Sequence, residues 1–271
     1  MSRFADADAG LLRHVDIVLT DVDDTLTRHG KLAPATLDAM ARLMSAGVRV
    51  IPVTGGCAGW CDHIVRAWPV TAIIGESGAF RFRMSPGGGL EQRFVRPLAE
   101  LREEQRQLLE IAARALQQVP AAKLAADQPY RLVDVAVDHA QDVGPLASEQ
   151  IAAVIGSFRD AGARARASSI HVNAWFGDHD KATMAASLLG EDMALSTEAQ
   201  RQRVLFIGDA PNDESLFRTY PLSVGVANIK PHLETLAHRP RWLCDASHGE
   251  GFTEMANRLL AARSEMALPV D

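Results

Sequence analysis

The sequence predicts a doubly wound α/β fold, mostly parallel and Rossmann-like, interrupted by an inserted α+β module. Three observations carry that expectation. Short β-branched runs at Val15 to Thr20, Val48 to Val53 and Val204 to Ile207 alternate with amphipathic helical patterns, as strands buried on both faces of a parallel sheet do. Those runs lead into Asp21, Thr54 and Asp209, and ligands of open α/β sheets bind beyond such strand ends. The α/β rhythm breaks after Gly78 and resumes near Lys181.

The elements follow in order. After the first strand, Pro34 opens a helix with Leu37, Met40, Ala41 and Met44 on one side, and Gly47 closes it. A helix from Ala58 to Ala67 and a strand from Thr71 to Ile74 follow the second strand. Ala79 to Met84 and Leu90 to Val95 flank a Ser-Pro-Gly-Gly-Gly turn and read as a hairpin. Leu101, Leu108, Ala112, Ala115 and Val119 mark a long helix, and alternation through Val133, Val135 and Val137 marks a half-buried strand. A helix through Ile151 and Phe158 and two strands, Ala163 to Ala167 and Ile170 to Trp175, complete the insertion. Then come a helix opening at Lys181, strands Val204 to Ile207 and Leu222 to Val226, and a helix from Phe252 to Ala262. The expected division is a core of residues 1–83 and 170–271 around a module of residues 84–169.

Composition narrows the functional classes. The chain has 271 residues, and 28 Lys and Arg against 34 Asp and Glu give a net charge of −6. That balance lacks the basic footprint of a nucleic-acid binder. Apolar stretches are broken well before the ~18 residues of a membrane span, so no membrane partner is expected. Three cysteines point to reduced thiols and a cytoplasmic location.

The chemistry-bearing residues cluster at strand ends. Asp21, Asp23 and Asp24 follow the first strand, and Asp209 and Asp213 follow a later one. If those strands are neighbours, the carboxylates crowd together, which is costly unless a cation relieves it. Oxygen-only ligands favour Mg²⁺. Lys181, in the first turn of a helix, opposes the helix dipole and so calls for an anionic partner. Thr54 suits a helix N-cap or a phosphate contact. Backbone amides of Val22, Asp23 and Gly55 are candidates to hold phosphoryl oxygens. Cys57 and Cys61 lack a second ligand pair at zinc spacing and read as packed thiols. His171 and His179 read as structural, and Trp60, Trp68, Trp175 and Trp242 as core. Arg131, Asp134, Arg164 and Arg166 are candidates to choose a leaving group.

The run Asp21-Val22-Asp23-Asp24-Thr25-Leu26-Thr27 resembles the DxDxT signature of the haloacid dehalogenase superfamily of phosphohydrolases. Thr54, Lys181 and Gly208-Asp209-Ala210-Pro211-Asn212-Asp213 are similar, in order, to that family's remaining motifs. The resemblance implies a Mg²⁺-dependent phosphatase in which Asp21 is the nucleophile and Asp23 the acid and base. It implies that Thr54, Gly55 and Lys181 hold the phosphoryl group, and that Asp21, Asp23 and Asp209 ligate the metal, with Asn212 and Asp213 supporting. An insertion between the Thr54 and Lys181 motifs resembles the type-two cap of subfamily IIB, which includes Cof-type sugar phosphatases. Gly75-Glu76-Ser77-Gly78-Ala79 resembles its GENGA segment with Ser77 in place of Asn, and Gly225-Val226-Ala227-Asn228 its tail. The implied substrate is a small phosphorylated metabolite, a sugar phosphate, handled by a monomer or homodimer. A phosphotransferase or phosphomutase using the same aspartyl-phosphate is the alternative. A receiver-type signalling module fits less well, because it has no large insertion and no counterpart of Asp23.

Overall fold

The computed structural model describes residues 1–264. Strand β1 (Ile17–Thr20) is buried throughout, with Val18 in one apolar layer and Ile17 and Leu19 in the other. Helix α1 (Pro34–Ser45) begins with proline, whose missing N–H costs nothing at that position. Gly47, at φ 78°, ends it in a left-handed turn that disfavours other residues. Strand β2 (Arg49–Pro52) then runs parallel to β1. Helix α2 (Ala58–Ala67) leads to β3 (Ile73–Gly75), which touches the main sheet only through a bridge between Val53 and Ile74. Glu76 and Ser77 both adopt positive φ, reversing the chain so that β3 pairs antiparallel with β4 (Phe80–Met84). Strand β5 (Leu90–Phe94) completes this small sheet and the expected hairpin.

The inserted segment builds a separate layer. It contains α3 (Leu98–Gln118), β6 (Lys123–Leu124), β7 (Val135–Asp138), α4 (Ser148–Asp160), β8 (Arg164–Ala167) and β9 (His171–Trp175). The strands form an antiparallel sheet in the order β8-β9-β7-β6. Leu108 and Ile111 of α3 and Val154 and Phe158 of α4 cover one face by packing on Val135, Val137, Val172 and Ala174. The other face sits over the carboxyl end of the main sheet, so β7 is buried on both sides rather than half-buried as expected. Strand β9, beyond the expected boundary at residue 170, is an inner strand of this second sheet.

The chain then returns through α5 (Lys181–Ser187), α6 (Thr197–Arg203), β10 (Val204–Gly208), α7 (Glu214–Thr219), β11 (Leu222–Gly225), β12 (Trp242–Leu243) and α8 (His248–Ser264). The main sheet is six-stranded and parallel, ordered Ser2–Arg3, β12, β11, β10, β1, β2. Helices α1 and α8 cover one face and α5 and α7 the other. The two-residue strands Ser2–Arg3 and β12 were not foreseen, being too short to show a period. Because β10 and β1 are neighbours, Asp21 and Asp209 emerge side by side at the same end of the sheet.

Candidate active site

Asp21 follows the last residue of β1, and its backbone N–H donates to the Ile207 carbonyl on β10 at 2.9 Å. Its carboxylate accepts a hydrogen bond from Lys181 Nζ at 2.5 Å, and the same ammonium donates to Asp213 Oδ1 at 2.7 Å. One oxygen each of Asp21, Asp209 and Asp213 lies within 4.8 Å of the others, and all three residues are buried. Asp180 caps α5 by accepting from the Thr183 N–H, which fixes the first turn and aims Lys181 at the acids. The ion pairs supply the reason for a cation at that unfavourable helix position.

Glycine is required at Gly208, since a Cβ there would lie 2.4 Å from Asp213 Oδ2. That oxygen accepts the backbone N–H groups of Asp209 and Ala210, so Asp213 holds its own loop as well as Lys181. Asp209 is held by Thr25 Oγ1 at 3.0 Å and Asn228 Nδ2 at 3.1 Å. Burial raises the Asp21 and Asp209 carboxyls well above the usual range, and neighbouring acids add to it. Lys181 is held strongly protonated by Asp21 and Asp213 despite its burial. One buried cation against three buried carboxylates leaves negative charge uncompensated. The all-oxygen donor set therefore fits a hard divalent cation such as Mg²⁺.

Asp23 lies two residues beyond Asp21 and lines the same cleft. Desolvation, reinforced by Asp24, lifts its carboxyl to about 6. Asp21, Asp23, Gly55, Asp209 and Asn212 all line this cleft, whereas Val22 and Thr54 are buried beside it. Thr54 is not a helix cap: α2 starts at Ala58 after Cys57, and the Thr54 hydroxyl accepts the Gly56 N–H at 2.8 Å. It therefore shapes the loop that carries Gly55. The thiols of Cys57 and Cys61 are free and buried, as expected.

The module closes the cleft through residues the sequence reading left open or missed. The Gly55 carbonyl accepts from Arg131 Nη1 at 2.9 Å and from Asn173 Nδ2 at 3.1 Å. Arg131 is buried and also paired with Asp127 and Asp134, each at 2.9 Å. Glu76 is a second joint. Its carboxylate accepts the N–H groups of Ala58, Leu132, Val133 and Asp134 at 2.7–3.0 Å. Burial, with Asp134 nearby, raises its carboxyl to about 7. Asn173 had one available signal, a polar residue inside a buried strand pattern.

Of the two histidines, His171 lines the cleft, while His179 packs on Trp175 and lines a separate hollow. Arg164 pairs with Asp178, outside the cleft-lining set. Trp60, expected in the core, is instead 57 % exposed at the cleft margin. In α2 the residues Ala58, Cys61, Ile64 and Val65 form the buried face, and Trp60 lies off it.

No protein-family model matches the chain, and no curated protein does. Solved structures do match along nearly their whole length. The sucrose-phosphatase of Synechocystis, solved with sucrose and phosphate, superposes with a TM-score of 0.65 at 19% identity, covering 91% of this chain and 98% of that one. A Thermoplasma acidophilum protein gives a TM-score of 0.69 at 17% identity, covering 91% and 98%. A HAD/COF-like hydrolase from Plasmodium vivax gives 0.65 at 16%, covering 92% and 96%.

Proposed function

Since the chain has the fold of the haloacid dehalogenase superfamily, we propose that it is a Mg²⁺-dependent phosphatase of a small phosphorylated metabolite, a sugar phosphate. The observation that carries this reading is the buried set of Asp21, Asp209, Asp213 and Lys181, with Asp23 beside it in one cleft. Similarity to phosphatase folds supports the same class.

In the mechanism, an Asp21 carboxylate oxygen attacks phosphorus and the bond to the leaving oxygen breaks, giving an aspartyl-phosphate. Asp23, able to hold a proton because burial raises its carboxyl, protonates the leaving alkoxide. It then takes a proton from the water that attacks the intermediate, releasing inorganic phosphate and restoring Asp21. Lys181 keeps the Asp21 oxygen oriented and offsets its charge against the phosphate dianion. Within the Thr54–Gly56 loop the Gly55 N–H is the one left for the phosphoryl oxygens, because those of Thr54 and Gly56 are engaged by the Ile74 carbonyl and the Thr54 hydroxyl, and Asn212 and the Val22 and Asp23 amides face the same task. Asp21, Asp209 and the Asp23 carbonyl would hold Mg²⁺, with Asp213 supporting; when bound, the metal supplies further charge neutralisation at the phosphoryl group. We assign residues from about Leu98 to Trp175 to the substrate-selecting module, because α3 packs on its sheet and β9 belongs to it.

The test is phosphate release from sugar phosphates and an aryl phosphate, with Mg²⁺ and with chelator. Release that requires Mg²⁺ and falls by about a thousandfold or more in a folded Asp21→Asn variant is the expected result. Wild-type turnover in that variant removes Asp21 as nucleophile.

A further inference from the structure

Asp209 is held by two donors that carry no charge. Thr25 Oγ1 donates to its Oδ1 at 3.0 Å, and Asn228 Nδ2 donates to its Oδ2 at 3.1 Å. Each contact occupies one lone pair and leaves the oxygen able to ligate a cation. Neither donor neutralises the carboxylate, as a lysine or arginine in its place would. The pair therefore fixes the direction of Asp209 and leaves its charge unspent.

Asn228 does more than hold one acid. The same nitrogen also donates to the Asp24 carbonyl at 3.0 Å, and Asn228 Oδ1 accepts the His248 N–H at 2.9 Å. His248 Nδ1 donates to that Asp24 carbonyl as well, at 3.1 Å. One side chain thus joins the loop after β1, the loop after β10 and the start of α8. The first of these carries Asp21 and Asp23, and the second carries Asp209.

The backbone at this joint is held where it would not rest by itself. Asp24 and His248 lie at φ 58° and 55°, left-handed and unfavourable for residues with a Cβ, and both bond to Asn228. A Cβ on Gly249 would lie 2.7 Å from the Leu26 carbonyl, so glycine lets α8 begin hard against the β1 loop. An amide is the group these contacts need, since it donates twice and accepts. A carboxylate at 228 would donate to neither acceptor and would face Asp209 with like charge.

Resting on the phosphatase reading and its divalent cation, we infer that Asn228 is a positioning residue. It sets Asp209 against the loop of Asp21 and Asp23, and so governs how tightly the acids hold the cation rather than the chemical step.

The test measures Mn²⁺ binding to the substrate-free protein by electron paramagnetic resonance of the unbound ion. Beside it runs the Mg²⁺ dependence of p-nitrophenyl phosphate hydrolysis. Asn228→Ala weakens Mn²⁺ binding by about tenfold or more. The Mg²⁺ concentration for half-maximal rate rises by a similar factor, while kcat at saturating Mg²⁺ stays within about threefold of wild type. Asn228→Asp, nearly the same shape, also binds Mn²⁺ more weakly although it adds a negative charge. It decides alone if the alanine variant does not fold. Thermal melts separate a purely structural role, which lowers the melt equally with and without Mg²⁺, from a smaller stabilisation by the ion. Unchanged Mn²⁺ affinity in Asn228→Ala, unchanged or tighter binding in Asn228→Asp, or a loss confined to kcat overturns the inference and leaves the phosphatase reading intact. If no ester is cleaved yet Mn²⁺ binding weakens as expected, the inference stands and the phosphatase reading fails. Wild type that binds no Mn²⁺ overturns the inference whatever it hydrolyses.

Discussion

Asp23 and Asp21 are chemically identical residues two positions apart, and their surroundings separate their tasks. Lys181 donates directly to Asp21, and its charge opposes the rise that burial gives that carboxyl, whereas Asp23 makes no such hydrogen bond and its carboxyl sits at about 6. Asp23→Asn should therefore slow an alkyl phosphate by at least about tenfold more than an aryl phosphate, whose leaving group needs no proton. Equal losses in kcat on both would remove the acid role. His179 permits a different test, because burial followed by Arg96 and Arg164 lowers it from 6.5 to about 4. Below the ordinary value the unfolded chain binds the proton and the folded chain does not, so stability falls as pH drops from about 6.5 towards 4. Urea unfolding of wild type at pH 7 and pH 5 should differ by about 2 kcal/mol more than in His179→Gln. At this scale the sequence was readable where a residue follows its own strand end, as Asp21 and Asp209 do, or opposes its own helix dipole, as Lys181 does. Asn173 was not readable, since its partner is the distant Gly55 carbonyl. Trp60 was misread from its type, although the buried face of its helix leaves it outside.

The joints between elements are polar where the elements themselves are apolar. Glu76, held at φ 42° by the sharp turn after β3, gathers N–H groups from α2 and from the segment entering β7. Glu76→Ala leaves four buried donors without their acceptor and should cost about 3 kcal/mol or more in thermal or urea unfolding. Glu76→Gln keeps a carbonyl but must turn an amide N–H₂ towards some of those donors, so it should recover only part of the loss. A Glu76→Ala melt matching wild type would mean that water replaces the carboxylate at no cost. Long periodic elements such as α1, α3 and α4 were legible because each carries its own apolar stripe. The path of β3 was not, because a three-residue strand has no period and the turn after it depends on tertiary contacts. The burial of β7 was equally hidden, being set by what lies opposite it.

Across the whole molecule, the two layers meet at the Gly55 loop and at Glu76. The main sheet was predictable from strand ends and alternation, and the insertion from the break in rhythm, but how they meet was not. The Gly55 carbonyl is held by two side chains of the module, and the amide of the next residue is held by Thr54. Docking of the module and the shape of the loop proposed to receive phosphate are consequently one equilibrium viewed from two places. Such linkage is reciprocal: whatever favours the docked loop at one end must favour it equally at the other. A phosphate mimic bound at the acids should therefore slow hydrogen exchange at Leu132, Val133 and Asp134, whose amides it never touches. Exchange there unchanged by saturating vanadate, with protection confined to residues 54–56, would mean the layers respond independently. By the same reciprocity, Asn173→Ala should weaken vanadate binding, since the side chain removed ties the Gly55 carbonyl to Asp134 of the module. On the phosphatase reading, the protein would then register an occupant through the rigidity of its inserted module, before any leaving group is read.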